Sequence, residues 1–273
     1  RLTPDHHQKV QRATHDESVK SMASLELRCI QSIRDELLKC DARRVIQIWD
    51  ESKTLKGCNE HIEFASNLRR DVVAYMVIRV VLDVFSGRVF GGFVQSHHTG
   101  LQWSDLDLCI PKFSSSHHQT IAHDAVLDAV VKFLRFTLGL SAFSTTVVKC
   151  TTSRYASRYE VKLEDVVVPI DIVSGTFLDK KKLYLPCTLG SCLEMQPNRA
   201  VTLRGVGWFP GVNSCDVVDM LRQQCDMQIC DASNISESKY MIYFWKRIDK
   251  MCARGLTMHE KWFGGDPPDR HGG

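Results

Sequence analysis

The sequence has no uninterrupted apolar run long enough to cross a bilayer, which takes roughly 20 residues in a helix. Its longest apolar stretch, Val72 to Val84, is broken by Arg79 and Asp83. The first residues, Arg1 to His7, contain no apolar segment of the kind found in signal peptides. We therefore expect neither a membrane-spanning nor a secreted protein.

There is also little excess of charge of either sign. Lys and Arg number 35 against 32 Asp and Glu, a net charge of +3, so a nucleic-acid-binding surface would have to be local. With 44% hydrophobic and 25% charged residues, the 273-residue chain has the composition of a folded protein. The 11 cysteines are odd in number and scattered through apolar segments, which indicates an intracellular protein with reduced thiols.

Three long helices are predicted: Glu17 to Cys40, Ile62 to Phe85, and Thr120 to about Leu138, the last ended by Gly139. The first and third have apolar residues at helical spacing, whereas the second is predicted from the length of its apolar segment, although its valines give it mixed propensity. A less regular piece, Val45 to Trp49, lies between the first two. A Ser/His linker, Ser114 to His118, is predicted before the third.

Short apolar or alternating runs predict strands. They are Val89 to Val94, Ser104 to Ile110, Phe143 to Cys150, Arg158 to Leu163 and Val166 to Val173. Because proline cannot donate a ladder hydrogen bond, Pro169 predicts an edge strand or a bulge in the last of them.

The C-terminal third has weaker signals. After the basic run at 180–182 and a loop-rich stretch, two helices are predicted, Cys215 to Gln224 with Ser214 as its cap and Glu237 to Arg254 ended by Gly255. We expect an N-terminal helical region at 1–60, a core at 61–178, a small helical and loop region at 179–263, and a disordered tail at 264–273.

The chemistry centres on Asp105 and Asp107. At i and i+2 on a strand, both carboxylates project from one face, where they would repel each other unless a divalent cation lay between them. Just upstream, the paired glycines Gly91 and Gly92 allow a ligand to approach the backbone closely. Downstream, Asp171 is the one acid in an apolar strand, which predicts either an ion pair or a cation ligand.

This order of motifs resembles the DNA polymerase β-like nucleotidyltransferase superfamily, with its glycine turn, its Asp-x-Asp strand and a third Asp on a later strand. Eleven residues separate Gly92 from Ser104, and Asp171 follows Asp107 by 64 residues. The resemblance covers about residues 60 to 175. It implies an α+β fold in which a mixed or antiparallel sheet is flanked by helices, with a small helical remainder.

The resemblance also implies a reaction, the transfer of an NMP from an NTP to an acceptor hydroxyl, most simply an RNA 3′ end as in poly(A) polymerases and terminal transferases. Asp105, Asp107 and Asp171 would hold two Mg²⁺ ions, or Mn²⁺. The backbone N–H groups of Gly91 and Gly92, with Ser96 or Ser104, would meet the phosphates of the nucleotide, ATP among the candidates. Lys149 would face the incoming phosphates, although half-exposed strands carry lysine anyway.

Two departures leave the subfamily and the acceptor open. Many members have Ser directly after the first glycine, where this chain has Gly92, and the Arg-Asp that follows Gly-Gly-x-Val in the tRNA-nucleotidyltransferase-like variant is replaced by Gln95-Ser96. The region after the core is also small for a second domain, so a protein partner could replace it. The alternatives are a catalytically silent scaffold and a nucleotide-binding module. Structural zinc at cysteines such as Cys187 and Cys192 is a further alternative, disfavoured by their spacing.

Overall fold

In the computed structural model of the chain, the described residues are 25–56, 62–111, 116–141, 144–152, 156–174, 188–204, 211–229 and 238–263. The predicted tail at 264–273 and the basic run at 180–182 lie outside them. No helix of the described part is long and apolar enough to cross a membrane.

Helices and strands are interspersed along the chain. The helices are α1 (25–39), α2 (Ala42–Lys56), α3 (Ile62–Asp83), α4 (Gly92–Thr99), α5 (Ser116–Leu138), α6 (Ser214–Arg222) and α7 (Ser238–Ala253). The strands are β1 (Arg88–Phe90), β2 (Leu106–Ile110), β3 (Thr145–Thr152), β4 (Ala156–Leu163), β5 (Val166–Ser174), β6 (Leu193–Met195), β7 (Val201–Leu203), β8 (Cys225–Ile229) and β9 (Thr257–Phe263).

Seven strands form one sheet in the order β3-β4-β5-β2-β1-β6-β7, and β8 and β9 form a separate parallel pair. Within the large sheet β2 and β5 are parallel and the other neighbours antiparallel. The predicted α+β fold with a mixed sheet flanked by helices is confirmed. Alternation along β2 and β5 sends Leu106, Leu108, Ile170 and Ile172 to a buried face, against which α3 packs. The acids between them project from the other face.

A buried ion pair anchors α1 to this framework. Arg34 Nε donates to Asp71 Oδ2 at 2.7 Å, and both side chains are about 5% exposed or less. Asp71 Oδ1 also accepts from Trp103 Nε1 at 2.6 Å, and Arg34 Nη1 donates to the carbonyl of Leu101 at 2.9 Å. The segment between α4 and β2, which leads into Asp105, is therefore held by side chains from both α1 and α3.

Two predictions for the N-terminal half are wrong. Val45 to Trp49 belongs to a regular helix, α2, because the Asp41 side chain accepts the Arg44 backbone N–H at 2.9 Å and Val45, Ile48 and Trp49 form a buried stripe. The predicted linker overlaps α5, which begins at Ser116. The ends predicted at Gly139 and Gly255 are confirmed, since both glycines have positive φ.

Further differences concern caps and strands. Asn213, rather than Ser214, caps α6, because its side chain accepts from the Asp216 N–H. Pro169 lies on an interior strand, but the pairing of β2 with β5 begins only at Ile170, so this proline has one neighbouring strand instead of two. Strands β6 and β7, which follow residue 178, join the main sheet. The division into domains at that residue stays a prediction.

Candidate active site

Three carboxylates share the sheet face opposite the helical core. Asp107 on β2 and Asp171 on β5 are in register as direct partners on neighbouring parallel strands. Adjacent strands lie about 4.8 Å apart, so the two side chains start from neighbouring points of the same face. Asp105, one residue before β2, is two residues from Asp107 and lies on that face as well.

The acids perturb one another. Burial, and then the charges of Asp105 and Asp171, raise the pKa of Asp107 to about 7. Burial and Asp105 also raise the pKa of Asp171, while the Arg158 guanidinium lowers it. An excess of negative charge that pushes a carboxyl pKa upward is the environment in which a bound cation has most to compensate.

The side chains do not converge on one point as they stand. In the described part of the chain no group of three His, Cys, Asp or Glu residues is arranged to hold a metal ion. Asp105 Oδ1 accepts from Ser104 Oγ at 2.5 Å, and Asp171 Oδ2 lies 3.8 Å from Arg158 Nη1. The donor set fits a hard divalent cation in chemistry, since it consists of carboxylate oxygens only. Closer grouping requires rotation of the side chains.

The paired glycines join this face to a helix. The predicted strand from Val89 to Val94 is wrong in its second half, because β1 ends at Phe90 and α4 begins at Gly92. Gly91 makes the turn with φ 74° and ψ −147°, and a Cβ there would collide with the Asp107 carboxylate. The N-terminus of α4, where the first backbone N–H groups have no partner within the helix and the helix dipole is positive, therefore starts beside the acids.

Ser104 connects the acids to α7. Its hydroxyl accepts from Arg254 Nη2 at 2.7 Å and lies 3.5 Å from Lys250 Nζ, while donating to Asp105. Arg254 also lies next to Gly92, where an added Cβ would be 3.2 Å from its Nη1. One guanidinium thus lies between the start of α4 and the start of β2.

The structure does not bring the other two predicted nucleotide ligands to this place. Ser96 is buried in α4, and its hydroxyl donates to the Gln102 carbonyl at 3.1 Å. Lys149 pairs in register with Tyr159, whose side chain is on the helical face of the sheet, and its Nζ lies 3.2 Å from Asp124 on α5. Neither assignment gains support from this geometry.

No protein-family model matches the sequence, and no curated protein matches it. Among solved structures, the apo form I of a CCA-adding enzyme is 14% identical with a TM-score of 0.40, over 67% of this chain and 39% of that one. A complex of CCA-adding enzyme with CTP is 13% identical with a TM-score of 0.36, over 69% and 43%. Thermotoga maritima CCA-adding enzyme complexed with tRNA is 14% identical with a TM-score of 0.36, over 69% and 42%.

This chain therefore spans about two fifths of the length of these structures. Identities and TM-scores this low do not establish a shared function. The candidate site is judged by its own side chains.

Sequence reasoning missed the cations around the acids. The positive charges of Arg247 and of Arg204, which follows β7, lower the pKa of Asp107. Arg70 on α3 attracts Asp105 electrostatically. Arg70 also donates to the Trp103 carbonyl at 2.8 Å. A sequence signal for these cations exists, because Arg247 and Lys250 on α7 and Arg254 directly after it are spaced at i, i+3 and i+7, which in a continuous helix is one face. Nothing in the sequence says that this face is turned toward Asp105.

A buried hydrogen bond joins α4 to β8. Gln95 Nε2 donates to Asp226 Oδ2 at 2.5 Å, and the backbone N–H of Gly190 donates to Asp226 Oδ1 at 2.9 Å. Burial raises the pKa of Asp226 to about 6. The residue that replaces the expected Arg after Gly-Gly-x-Val therefore links α4 to β8, with its side chain pointing away from solvent.

Proposed function

We propose that this protein is a Mg²⁺-dependent nucleotidyltransferase that transfers an NMP from an NTP to an acceptor hydroxyl, with an RNA 3′ end as the acceptor. The observation that carries the proposal is the register of Asp107 with Asp171 on β2 and β5, with Asp105 on the same face. The raised pKa of Asp107 supports a cation at this position, because burial and the charges of Asp105 and Asp171 disfavour its ionised form.

Asp105, Asp107 and Asp171 would hold the divalent ions, with Mn²⁺ as a substitute for Mg²⁺. When bound, such ions neutralise the charge that develops on the transferred phosphoryl group and its leaving group. Residues of the chain itself would position the phosphates of the nucleotide. The first N–H groups of α4 and the Arg254 guanidinium lie beside the acids, where they can bind phosphate oxygens.

The choice of RNA rests on the resemblance of the motifs to the polymerase β-like superfamily. The cations on one face of α7 are compatible with a polyanionic acceptor as well as with the nucleotide. Nucleotide preference is not implied by this site.

One observation favours a second candidate, a nucleotidyltransferase-like scaffold without catalysis. Arg158 lies 3.8 Å from Asp171, and Ser104 occupies one oxygen of Asp105, so two of the three acids have protein partners. The contact between Arg158 and Asp171 is loose enough to be replaced by a cation, since the two side chains are 48% and 30% exposed.

The test is to incubate the full chain with each α-labelled NTP, Mg²⁺ or Mn²⁺, and an RNA oligomer. We expect extended RNA from the wild type and a loss of at least about 100-fold in Asp107→Asn, with Asp128→Asn, an exposed acid on α5, as the matched control. No product with any NTP, together with no metal-dependent thermal shift on adding NTP, would contradict the enzyme and favour the scaffold.

A further inference from the structure

A cavity of about 940 Å³ lies between α1 and the first half of α3. The segment at 100–102 and the end of α7 complete its walls. Its volume is in the range of pockets that hold nucleotide-sized ligands. None of the three carboxylates lines it, but Arg254 does, and the same guanidinium contacts Ser104. The cavity therefore adjoins the proposed active site through one shared side chain.

The cavity has a closed end and an open end. The closed end is the buried pair of Arg34 and Asp71. Glu26 and Glu63 also line the cavity. Glu26 precedes Arg34 on α1, and Glu63 precedes Asp71 on α3, in each case by eight residues or about 12 Å along the helix. Glu63 Oε1 accepts from Gln102 Nε2 at 3.3 Å. Two carboxylates thus stand toward the open end, on the two helices that form the walls.

Between these ends the walls are largely apolar. Ile30 and Ile33 of α1 and Phe64 of α3 are half-buried and line the cavity, and Asn67 adds one amide to the α3 wall. Apolar walls with one aromatic ring suit a flat ring system. The acceptors Glu26 and Glu63 suit a ligand edge that carries N–H donors, and Arg254 suits an anionic group on the side toward Ser104.

We propose that this cavity binds the nucleoside part of a substrate whose base carries an exocyclic amino group, with Glu63 as a specificity-determining residue. A nucleotide has the required apolar ring faces, amino donors and anionic phosphate in one molecule. This inference rests on the proposed function. The nucleoside comes from the incoming NTP or from the 3′-terminal residue of the RNA, and both present the same chemistry to the cavity.

The first experiment measures binding of adenosine, cytidine and uridine to the full chain by ligand-observed NMR without metal ions. We expect adenosine and cytidine to bind at least about tenfold more tightly than uridine, which has no exocyclic amino group. Ile30→Trp, which fills the cavity, weakens adenosine by about tenfold or more, and Glu63→Ala brings adenosine and uridine to within about threefold. Ser66→Ala, an exposed position on the same helix, binds as the wild type does.

Circular dichroism and the thermal midpoint check that each variant is folded, and Asn67→Trp replaces Ile30→Trp if the latter unfolds. Equal binding of adenosine and uridine to the wild type overturns the inference. So does unchanged adenosine binding in a folded variant with a filled cavity.

Steady-state kinetics then distinguish the two sources. If the cavity holds the base of the NTP, Ile30→Trp raises the KM for NTP by about tenfold or more and leaves the KM for RNA unchanged. The reverse pattern assigns the cavity to the RNA terminus. If the protein transfers no NMP but binds nucleosides with the preference and variant effects expected in the NMR experiment, the cavity assignment stands and the proposed function is removed. If the cavity variants turn over with both KM values unchanged, the proposed function stands and the cavity assignment is overturned.

Discussion

Gly91 is the residue at which the turn, the helix and the acids meet. Its backbone has φ 74° and ψ −147°, close to a region that is nearly reserved for glycine, and a Cβ would collide with the Asp107 carboxylate. We expect Gly91→Ala to destabilise the protein by roughly 2–3 kcal/mol. Because Asp107 would have to move, activity should fall by about 100-fold.

Gly139 supplies the control for this prediction. It also has positive φ, 62°, but nothing lies within 4 Å of an added Cβ. Gly139→Ala therefore tests backbone strain alone and should cost about 1 kcal/mol with full activity. Urea unfolding and initial rates measure the two variants. Equal losses of stability and activity in both would mean that the contact with Asp107 is unimportant.

Asp107 predicts an unusual dependence of stability on pH. Its pKa in the folded protein is raised to about 7, so between about pH 4 and pH 7 the folded state keeps a proton that the unfolded state has released. The free energy of unfolding should therefore fall as the pH rises through this window, by roughly 2 kcal/mol once partial exposure is allowed for. Asp107→Asn removes the part of this fall that Asp107 contributes and is more stable than the wild type at pH 8, while a smaller fall remains from Asp226, whose pKa is raised to about 6.

Urea unfolding in EDTA at pH 5 and pH 8 measures this effect. Asp128→Asn, which changes a carboxylate that is 62% exposed, is the control and should keep the wild-type slope. Adding Mg²⁺ at pH 8 should restore stability to the wild type and not to Asp107→Asn. A wild-type protein whose stability is flat between these pH values would refute the raised pKa of Asp107.

The three acids were predictable at the residue scale because acids inside apolar, alternating runs are conspicuous. The spacing predicts Asp105 and Asp107 on one face, the family resemblance adds Asp171, and the register of β2 with β5 puts Asp171 beside Asp107. Ser96 and Lys149 were chosen by proximity in the chain, which fixes neither the face of a helix nor the face of a sheet. The partners of the acids were not predictable, since Arg254 and Asp105 are 149 residues apart.

At the scale of elements, α7 yields the next prediction. Arg254 contacts Ser104, and the charge of Arg247 acts on Asp107, whereas Lys246 lies on an exposed part of the same helix. We expect Arg254→Ala and Arg247→Ala to raise the KM for NTP by about tenfold, because each removes a cation beside the phosphates. Lys246→Ala should leave it unchanged.

Steady-state kinetics at two ionic strengths measure this effect, and the differences between the variants should shrink at the higher one. A similar KM in all three variants would place the phosphates elsewhere.

Long helices were predictable as elements, and short strands were not. The continuous apolar run of α3 and the apolar stripe of α5 each extend for about six turns. Strands β6 and β7 have three residues each, too few to show alternation, and their pairing to β1 is a long-range contact. The sequence predicts a continued strand where α4 begins, because the local apolar run continues through Gly91, whereas the positive φ of that glycine separates the strand from the helix.

At the scale of the whole molecule, the main apolar core of the described residues runs from Leu37 on α1 to Leu256, three residues after α7, and Phe244 and Ile248 of α7 form a small second cluster. Polar contacts also join the C-terminal region to the rest of the molecule. The Gln95 to Asp226 hydrogen bond joins α4 to the β8-β9 pair, and Arg254 joins α7 to Ser104. A C-terminal region that contributes to the core and to the site in this way is not expected to unfold by itself.

We therefore predict a single cooperative thermal transition for the described part of the chain, with equal calorimetric and van't Hoff enthalpies. Gln95→Leu, which leaves Asp226 buried with one hydrogen bond fewer, should lower the midpoint of that whole transition, because an unsatisfied buried acceptor costs about 1–3 kcal/mol. Gln47→Leu, at an exposed position on α2, is the control. Differential scanning calorimetry makes the measurement. Two resolved transitions, with only one of them shifted by Gln95→Leu, would show instead that the C-terminal region is an independent folding unit, as a domain boundary near residue 178 requires.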